Sequence, residues 1–281
     1  MNRNASTSPR DIDTARAFST SWLHLPEGSI YTADQVEDWL HPITSEDVAG
    51  RTVLELGCGN ASILTHLVRW EPSEVTGVDL GNSVVSAREN LEATGFTNWQ
   101  IVQSDLTDFE PSEAFDVVLS IGVLHHLQDP RSGFEAVVAN TRSGGRFHCW
   151  VYGFEGNRLV RAVVDPLRRI LKPLPWWVKK YGIATPLSLP VFVYAKLVRA
   201  LRLKSNRLGW LPLADYVVWL GRREVGFTRH VIFDQLVAPT THYLSKAEIE
   251  GWLTTTEELR PEMSYVVSRN GNSWKFGGTR K

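Results

Sequence analysis

Cysteine is scarce: Cys58 and Cys149 are the only two among 281 residues. A disulfide framework or a cysteine-based metal site is therefore not expected, and a reducing, cytoplasmic setting is the default reading. An excess of one charge sign is also lacking. Thirty Lys plus Arg oppose 31 Asp plus Glu, and the formal net charge of -1 carries no nucleic-acid signature. Long hydrophobic runs are missing too. The longest uncharged apolar stretch, Tyr181 to Ala195, is short for a spanning helix and contains Pro186 and Pro190. The stretch Met1 to Arg10 is polar and has no apolar centre, so no secretory signal is expected. Internal repeats and low-complexity tracts are absent as well. What is present, 43% hydrophobic and 22% charged residues, describes a globular chain with one good-sized core and room for an elaboration.

Strand and helix signals alternate after an N-terminal helical region. Thr32-Ala33-Asp34-Gln35 reads as a capping box that opens a helix holding Val36, Trp39 and Leu40, ended by Pro42. Thr52 to Leu56 is a buried strand stopped by Gly57, and Ile63, Leu64, Leu67 and Val68 follow at helical spacing. Further strands are expected at Val75 to Asp79, Gln100 to Val102, Phe115 to Ser120 and Arg146 to Tyr152. A helix with Val84, Val85 and Leu91 is capped by Asn82 or Ser83, and another runs through Phe134 to Val138. This alternation implies a parallel sheet with right-handed crossovers. The pattern breaks over Phe154 to Arg229, where prolines 166, 173, 175, 186, 190 and 212 punctuate long mixed segments. It resumes with the capping box Ser245-Lys246-Ala247-Glu248 and two closing strands near Met263 to Ser268 and Ser273 to Phe276. The expected organisation is a helical lid over 1–50, an α/β core over 51–153, a basic and mostly helical insert over 154–229, and completion of the core over 230–281.

The chemistry concentrates at strand ends. Glu55-Leu56-Gly57-Cys58-Gly59-Asn60-Ala61 joins a strand to a helix, and its glycines let the backbone turn sharply and approach a ligand. Asp79 ends the next strand 22 positions beyond Gly57, where a carboxylate can accept both ribose hydroxyls of an adenosine. That spacing suits a nicotinamide dinucleotide as well as S-adenosylmethionine (SAM). Against the dinucleotide, Ser62 stands where its fingerprint needs glycine, and Asp105 follows the third strand, where an adenine amino group would find an acceptor.

With Val53 to Gly59, Gly77-Val78-Asp79-Leu80, Ser104-Asp105-Leu106, Phe115 to Ser120 and Gly122 to Pro130 in this order, the sequence resembles the class I SAM-dependent methyltransferases. The run through His125-His126-Leu127-Gln128-Asp129-Pro130 is similar to the branch that includes the ubiquinone and menaquinone methyltransferases. The resemblance implies a doubly wound Rossmann-like α/β sheet, with the lid at its N-terminus and the insert as a helical cap. It implies that Glu55 and the loop Gly57-Cys58-Gly59-Asn60 hold the methionine part of SAM. It places Asp79, with Leu80 beside it, at the ribose, Asp105 and Leu106 at the adenine, and backbone groups of Ser120 and Ile121 at the sulfonium. One departure is Ala61, where the family often has a third glycine.

The reaction implied is direct displacement at the SAM methyl group by an acceptor nucleophile. It asks the protein to align the acceptor and exclude water, and it requires no metal. His125 is the candidate general base, whereas His126 is expected to be a structural hydrogen-bonding residue and Cys58 a packing residue. His242 and Tyr243 are candidates for the acceptor pocket, with loop packing the plainer role. Two other functions remain open at this point: a protein that binds or senses SAM without turnover, and an NAD-dependent oxidoreductase.

The acceptor is not legible, but the charge distribution bears on it. Phe154 to Val225 holds 14 Lys plus Arg against 4 Asp plus Glu, a net of +10, which leaves -11 for the remainder. With Trp176, Trp177, Trp210 and Trp219 interleaved, this insert suits an anionic small-molecule or lipid-linked acceptor, or peripheral contact with an anionic membrane through cations such as Arg168, Arg169, Lys179 and Lys180. Nucleic acid is not expected, and the oligomeric state is not readable.

Overall fold

The computed structural model describes residues 8–23, 31–204, 211 and 213–281. Trp210 and Pro212, singled out above, lie outside the described residues, as do residues 1–7 of the polar N-terminal stretch. The described chain divides into two compact units. Unit 1 comprises residues up to Tyr152, Thr240–Val267 and Trp274–Lys281; unit 2 comprises Gly153–Pro239 and Ser268–Ser273.

Unit 1 opens with α1 (Pro9–Leu23), α2 (Ala33–Leu40) and α3 (Ser45–Val48). The alternating section follows as β1 (Thr52–Leu56), α4 (Leu64–Leu67), β2 (Glu74–Asp79), α5 (Val84–Glu92), β3 (Trp99–Gln103), β4 (Phe115–Ile121), α6 (Pro130–Asn140) and β5 (Thr141–Tyr152). The sheet order is β3-β2-β1-β4-β5-β7-β6, where β6 is Tyr265–Arg269 and β7 is Ser273–Thr279. The first five strands are parallel, with Leu54 of β1 level with Thr76 of β2 and Val118 of β4. β7 runs against β5. Gly144 N–H donates to the Arg280 carbonyl and Arg280 N–H to the Gly145 carbonyl, while further along Gly277 packs on the Phe147 carbonyl. The order reverses between β1 and β4, so the carboxyl end of β1 is the switch point where doubly wound sheets take their ligands.

Each face of the sheet carries one core. Val53, Val75, Val117 and Leu119 pack with Val36, Trp39 and Leu40 of α2 and with Leu64, Leu67, Val84 and Leu91. Leu54, Val118, Phe147 and Cys149 pack with Phe134 and Val137 of α6 and with Ile249 and Trp252 of α11 (Lys246–Thr255). The first capping box forms as its sequence implies, whereas at the second only the Ser245 side-chain cap is made. Gln35 Oε1 accepts the Thr32 N–H at 2.9 Å, and Ser245 Oγ accepts the Glu248 N–H at 3.2 Å. The expected cap of α5 differs: Ser83 takes the N-cap position, but its hydroxyl donates to Asp79 at 3.2 Å, because the half-buried carboxylate competes for it.

Unit 2 is helical among its described residues, apart from the turn that joins β6 to β7. It contains α7 (Asp165–Leu171), α8 (Thr185–Lys204), α9 (Ala214–Leu220) and α10 (Val225–Val237), with wider π turns at Val160–Val164 and Val178–Ala184. A boundary at 229 falls inside α10. That helix continues to Val237 because Phe233 and Val237 are buried against Ala184, so unit 2 extends to Pro239.

Candidate active site

Three successive strands of unit 1 end in carboxylates near the switch point. Glu55 on β1 is 1% exposed, and its Oε2 is buried without a hydrogen-bond partner. Burial, and then the charge of Asp79, push its pKa well above the usual carboxylate range. Asp79 at the end of β2 accepts the Gly59 N–H on Oδ2 at 2.9 Å, and the Gly81 N–H on Oδ1 at 2.7 Å. Burial raises its pKa, and these bonds, with that from Ser83, offset part of the rise. One carboxylate thus ties the loop after β1 to the loop after β2. Asp105, just past β3, is buried and accepts the Thr107 N–H and hydroxyl on Oδ1 at 2.9 and 2.7 Å. Leu106 beside it is buried in the α6 core, while Leu80 is half-buried.

The glycine-rich loop is shaped from within. Gly57 has φ +84°, and a β-carbon there would overlap the methyl groups of Val123, so only glycine fits. Gly57 and Cys58 both donate to the Val78 carbonyl, at 2.7 and 3.0 Å. Cys58 is buried and packs beneath Gly77, with burial pushing its thiol pKa up, as befits a packing residue. Asn60 folds back on the loop. Its Oδ1 accepts the Ser62 hydroxyl at 2.6 Å and its carbonyl accepts Asn90 Nδ2 at 2.9 Å. Ala61, fully buried, sits at φ +60°, the left-handed conformation that glycine adopts freely. The loop therefore keeps the glycine geometry with an alanine in it.

Aromatic rings collect around the loop that follows β4. His125 is fully buried, and its ring centroid lies 4.1 Å from both Tyr152 and His126 and 6.1 Å from Trp150. Its carbonyl accepts the His242 N–H at 2.7 Å, and Tyr243 stacks on Tyr152. His126 Nδ1 bonds the Thr240 carbonyl at 2.8 Å, and Phe18 of α1 packs on its ring. Ser120 is buried and its hydroxyl donates to the Leu56 carbonyl at 3.1 Å, clamping β4 to β1; Ile121 is buried beside it.

Sequence reading missed Asp11, Trp150 and Tyr152. Asp11 on α1 accepts the Gln128 N–H at 2.8 Å, and its pKa is raised by burial and by the charge of Asp105. Helix α1 thereby touches the loops after β2 and β4, since Ser19 also packs on Gly81. Trp150 and Tyr152 were legible in principle. On β5, Phe147, Cys149 and Val151 alternate into the α6 core, so His148, Trp150 and Tyr152 share the other face.

A family model described as a methyltransferase domain matches residues 54–147, from β1 into β5. Over this span, about a third of the chain, the sequence is similar to methyltransferase domains. Ubiquinone biosynthesis O-methyltransferase from Aeromonas salmonicida is 27% identical to this chain over 152 residues, covering 52% of this chain and 63% of that protein. The protein of the same name from Stutzerimonas stutzeri is 32% identical over 101 residues, covering 35% and 43%. The chain thus spans less than two thirds of the length of either curated relative. Magnesium protoporphyrin IX methyltransferase from Synechocystis PCC 6803, solved with bound S-adenosylhomocysteine, aligns over 97% of this chain and 98% of its own at a TM-score of 0.54 and 15% identity, which shows a shared fold. SAM, whose product that structure holds, is the cofactor to test against this chain. The residues at its switch point fit that cofactor: SAM carries a sulfonium and an ammonium, and the orphaned Glu55 Oε2 and the Asp79 and Asp105 carboxylates supply opposite charge and acceptors.

Proposed function

We propose that the protein transfers the methyl group of SAM to the oxygen of a small, anionic or lipid-linked acceptor, working in the cytoplasm at the face of an anionic membrane. The observation that carries the methyl-transfer reading is Glu55 Oε2, buried and unpartnered beside the glycine loop, because a charged acceptor without a donor is costly unless a ligand supplies one. On this reading Glu55 and the loop Gly57-Cys58-Gly59-Asn60 hold the methionine end. Asp79 and Leu80 hold the ribose, Asp105 and Leu106 the adenine, and the Ser120–Ile121 backbone lines the reacting end. When bound, SAM supplies a methyl group activated by a positive sulfur.

His125 accepts the acceptor's hydroxyl proton, and the Tyr152 ring packed at a tilt against it turns aside for the acceptor. The two ubiquinone-pathway relatives, O-methyltransferases by name, support oxygen as the nucleophile. The net +10 of Phe154 to Val225 supports an anionic partner. The test is release of S-adenosylhomocysteine from SAM with phenolic and lipid-linked acceptors, beside calorimetry with SAM and NAD. Acceptor-dependent release supports the reading. Tight SAM binding with no release from any acceptor leaves a sensing protein, and NAD binding without SAM binding overturns both.

A further inference from the structure

Unit 2 contains one helix whose outward side is apolar throughout. α8 (Thr185–Lys204) belongs to the 25-residue helical stretch Val178–Arg202, which is long and apolar enough to cross a membrane and has 22% of its most apolar window buried. Its inward side, marked by Ser188, Ala195 and Val198, is buried in unit 2. Its outward side presents Leu187, Leu189, Val193, Tyr194, Leu197 and Leu201, each 44% to 61% exposed. At 100° per residue these six fall within an arc of about 160°. Between Pro186 and Leu201 no charged residue falls in that arc.

The cations of the stretch lie to the sides. Lys196 packs its ammonium 5.0 Å from the Phe192 ring, Arg199 donates to the Gly221 carbonyl, and Arg202 pairs with Asp215. Val178–Arg202 holds five Lys or Arg and no Asp or Glu. Trp177 and Tyr181, the aromatic types that settle at headgroup level, are 57% and 56% exposed just before the helix. Arg169 and Lys172 are exposed in the same unit.

We propose that α8 is the membrane-docking element, lying in the plane of an anionic bilayer with its Leu189–Val193–Leu197 side among the acyl chains. The proposal rests on the membrane part of the function proposed above and names the surface responsible. A spanning arrangement is disfavoured because it would strip Arg199 and Arg202 from their partners and pull the inward side out of unit 2. Lipid is favoured over a second copy on charge. Two inserts of net positive charge repel each other, whereas anionic headgroups attract exposed cations such as Arg169 and Lys172.

The test uses the full chain with phosphatidylcholine vesicles, with and without phosphatidylglycerol. The expected result is sedimentation with the phosphatidylglycerol vesicles that weakens with salt, and an affinity lowered about tenfold or more in the double variant Leu189→Gln, Leu197→Gln. An environment-sensitive fluorophore on Leu189→Cys or Leu201→Cys is expected to shift to the blue with these vesicles. On Arg222→Cys, an exposed polar position of the same unit, it stays unshifted. The native Cys58 and Cys149 are buried and out of reach of the label. Unchanged S-adenosylhomocysteine affinity shows that each variant is folded.

Equal vesicle binding by the double variant, with unshifted reporters, overturns the role of α8 and leaves membrane contact to another surface. No sedimentation at low salt overturns both readings. A blue shift without lipid, accompanied by a dimer that the double variant loses, replaces lipid with a second copy. Widely different quenching depths at Leu189 and Leu201, about 18 Å apart along the axis, would establish a spanning helix and overturn the in-plane arrangement.

Discussion

Glu55 sits in the fold at an electrostatic cost. Its carboxyl is buried with one oxygen unpartnered and with Asp79 nearby, so its folded pKa is raised. A raised carboxylate pKa destabilises the protein above the unfolded value, and the penalty fades as pH falls toward it. Glu55→Gln is therefore expected to raise the stability of the ligand-free protein by about 1–2 kcal/mol at neutral pH, with the gain shrinking near pH 4. The same change is expected to lower SAM affinity about tenfold or more. Thermal melts at both pH values and calorimetry check the two halves separately. Asp79 behaves differently, because it already accepts bonds from Gly59, Gly81 and Ser83. Asp79→Ala is expected to weaken SAM binding by roughly 1–3 kcal/mol and also to loosen both loops. Asp105→Ala, with one adenine bond at stake, costs less. Parent-like SAM affinity in both folded variants would misplace the site.

Elements are joined in unit 1 by a residue no motif announces. His148 on β5 is fully buried, its Nε2 donating to the Trp39 carbonyl of α2 at 2.8 Å and its Nδ1 accepting the Tyr265 hydroxyl of β6 at 2.6 Å. A carbonyl only accepts, so Nε2 must carry the proton and the ring is held neutral in one tautomer. Burial lowers its pKa to about 3. A histidine whose folded pKa is depressed gains protons on unfolding, so its contribution to stability holds above the unfolded value near 6.5 and is lost as pH falls from there toward 3. The expected loss is about 1.4 kcal/mol per pH unit from this group. Urea titrations between pH 7 and pH 4.5 should show that slope in the parent and not in His148→Gln. The helix that His148 anchors was legible, because Val36, Trp39 and Leu40 recur at helical spacing behind a capping box. The anchor was not, since a lone histidine in a strand says nothing about a partner 109 positions away.

At the scale of the molecule, the +10 of the insert overstates what unit 2 presents to solvent. Arg168 is buried and donates to Gln235 and Asp165, and Lys179 and Lys180 are buried, their pKa values lowered by desolvation. Three of the four cations named above for contact with an anionic membrane therefore serve the interior. Arg168→Glu is expected to destabilise unit 2 by about 3 kcal/mol or more, by leaving buried groups unpaired. Reversal at the exposed Arg169 and Lys172 is expected to be near neutral for folding, to leave S-adenosylhomocysteine affinity unchanged, and to raise the KM for an anionic acceptor. Denaturation and steady-state kinetics separate these outcomes.

The sequence by itself determined the doubly wound sheet, the loop after β1 and the carboxylates at the ends of β1, β2 and β3. Local periodicity, glycine geometry and strand-end position dictate these features without reference to distant residues. Tertiary structure alone decided that Val123 enforces the glycine at 57, that Tyr152 packs on His125 with Tyr243 stacked on Tyr152, and that Asp11 of α1 lies near Asp105. It also decided which cations of the insert turn inward and which side of α8 faces out. Each of these depends on segments far apart in the chain packing together. Composition and spacing record which groups are present, but only packing settles which of them lose water and which keep it.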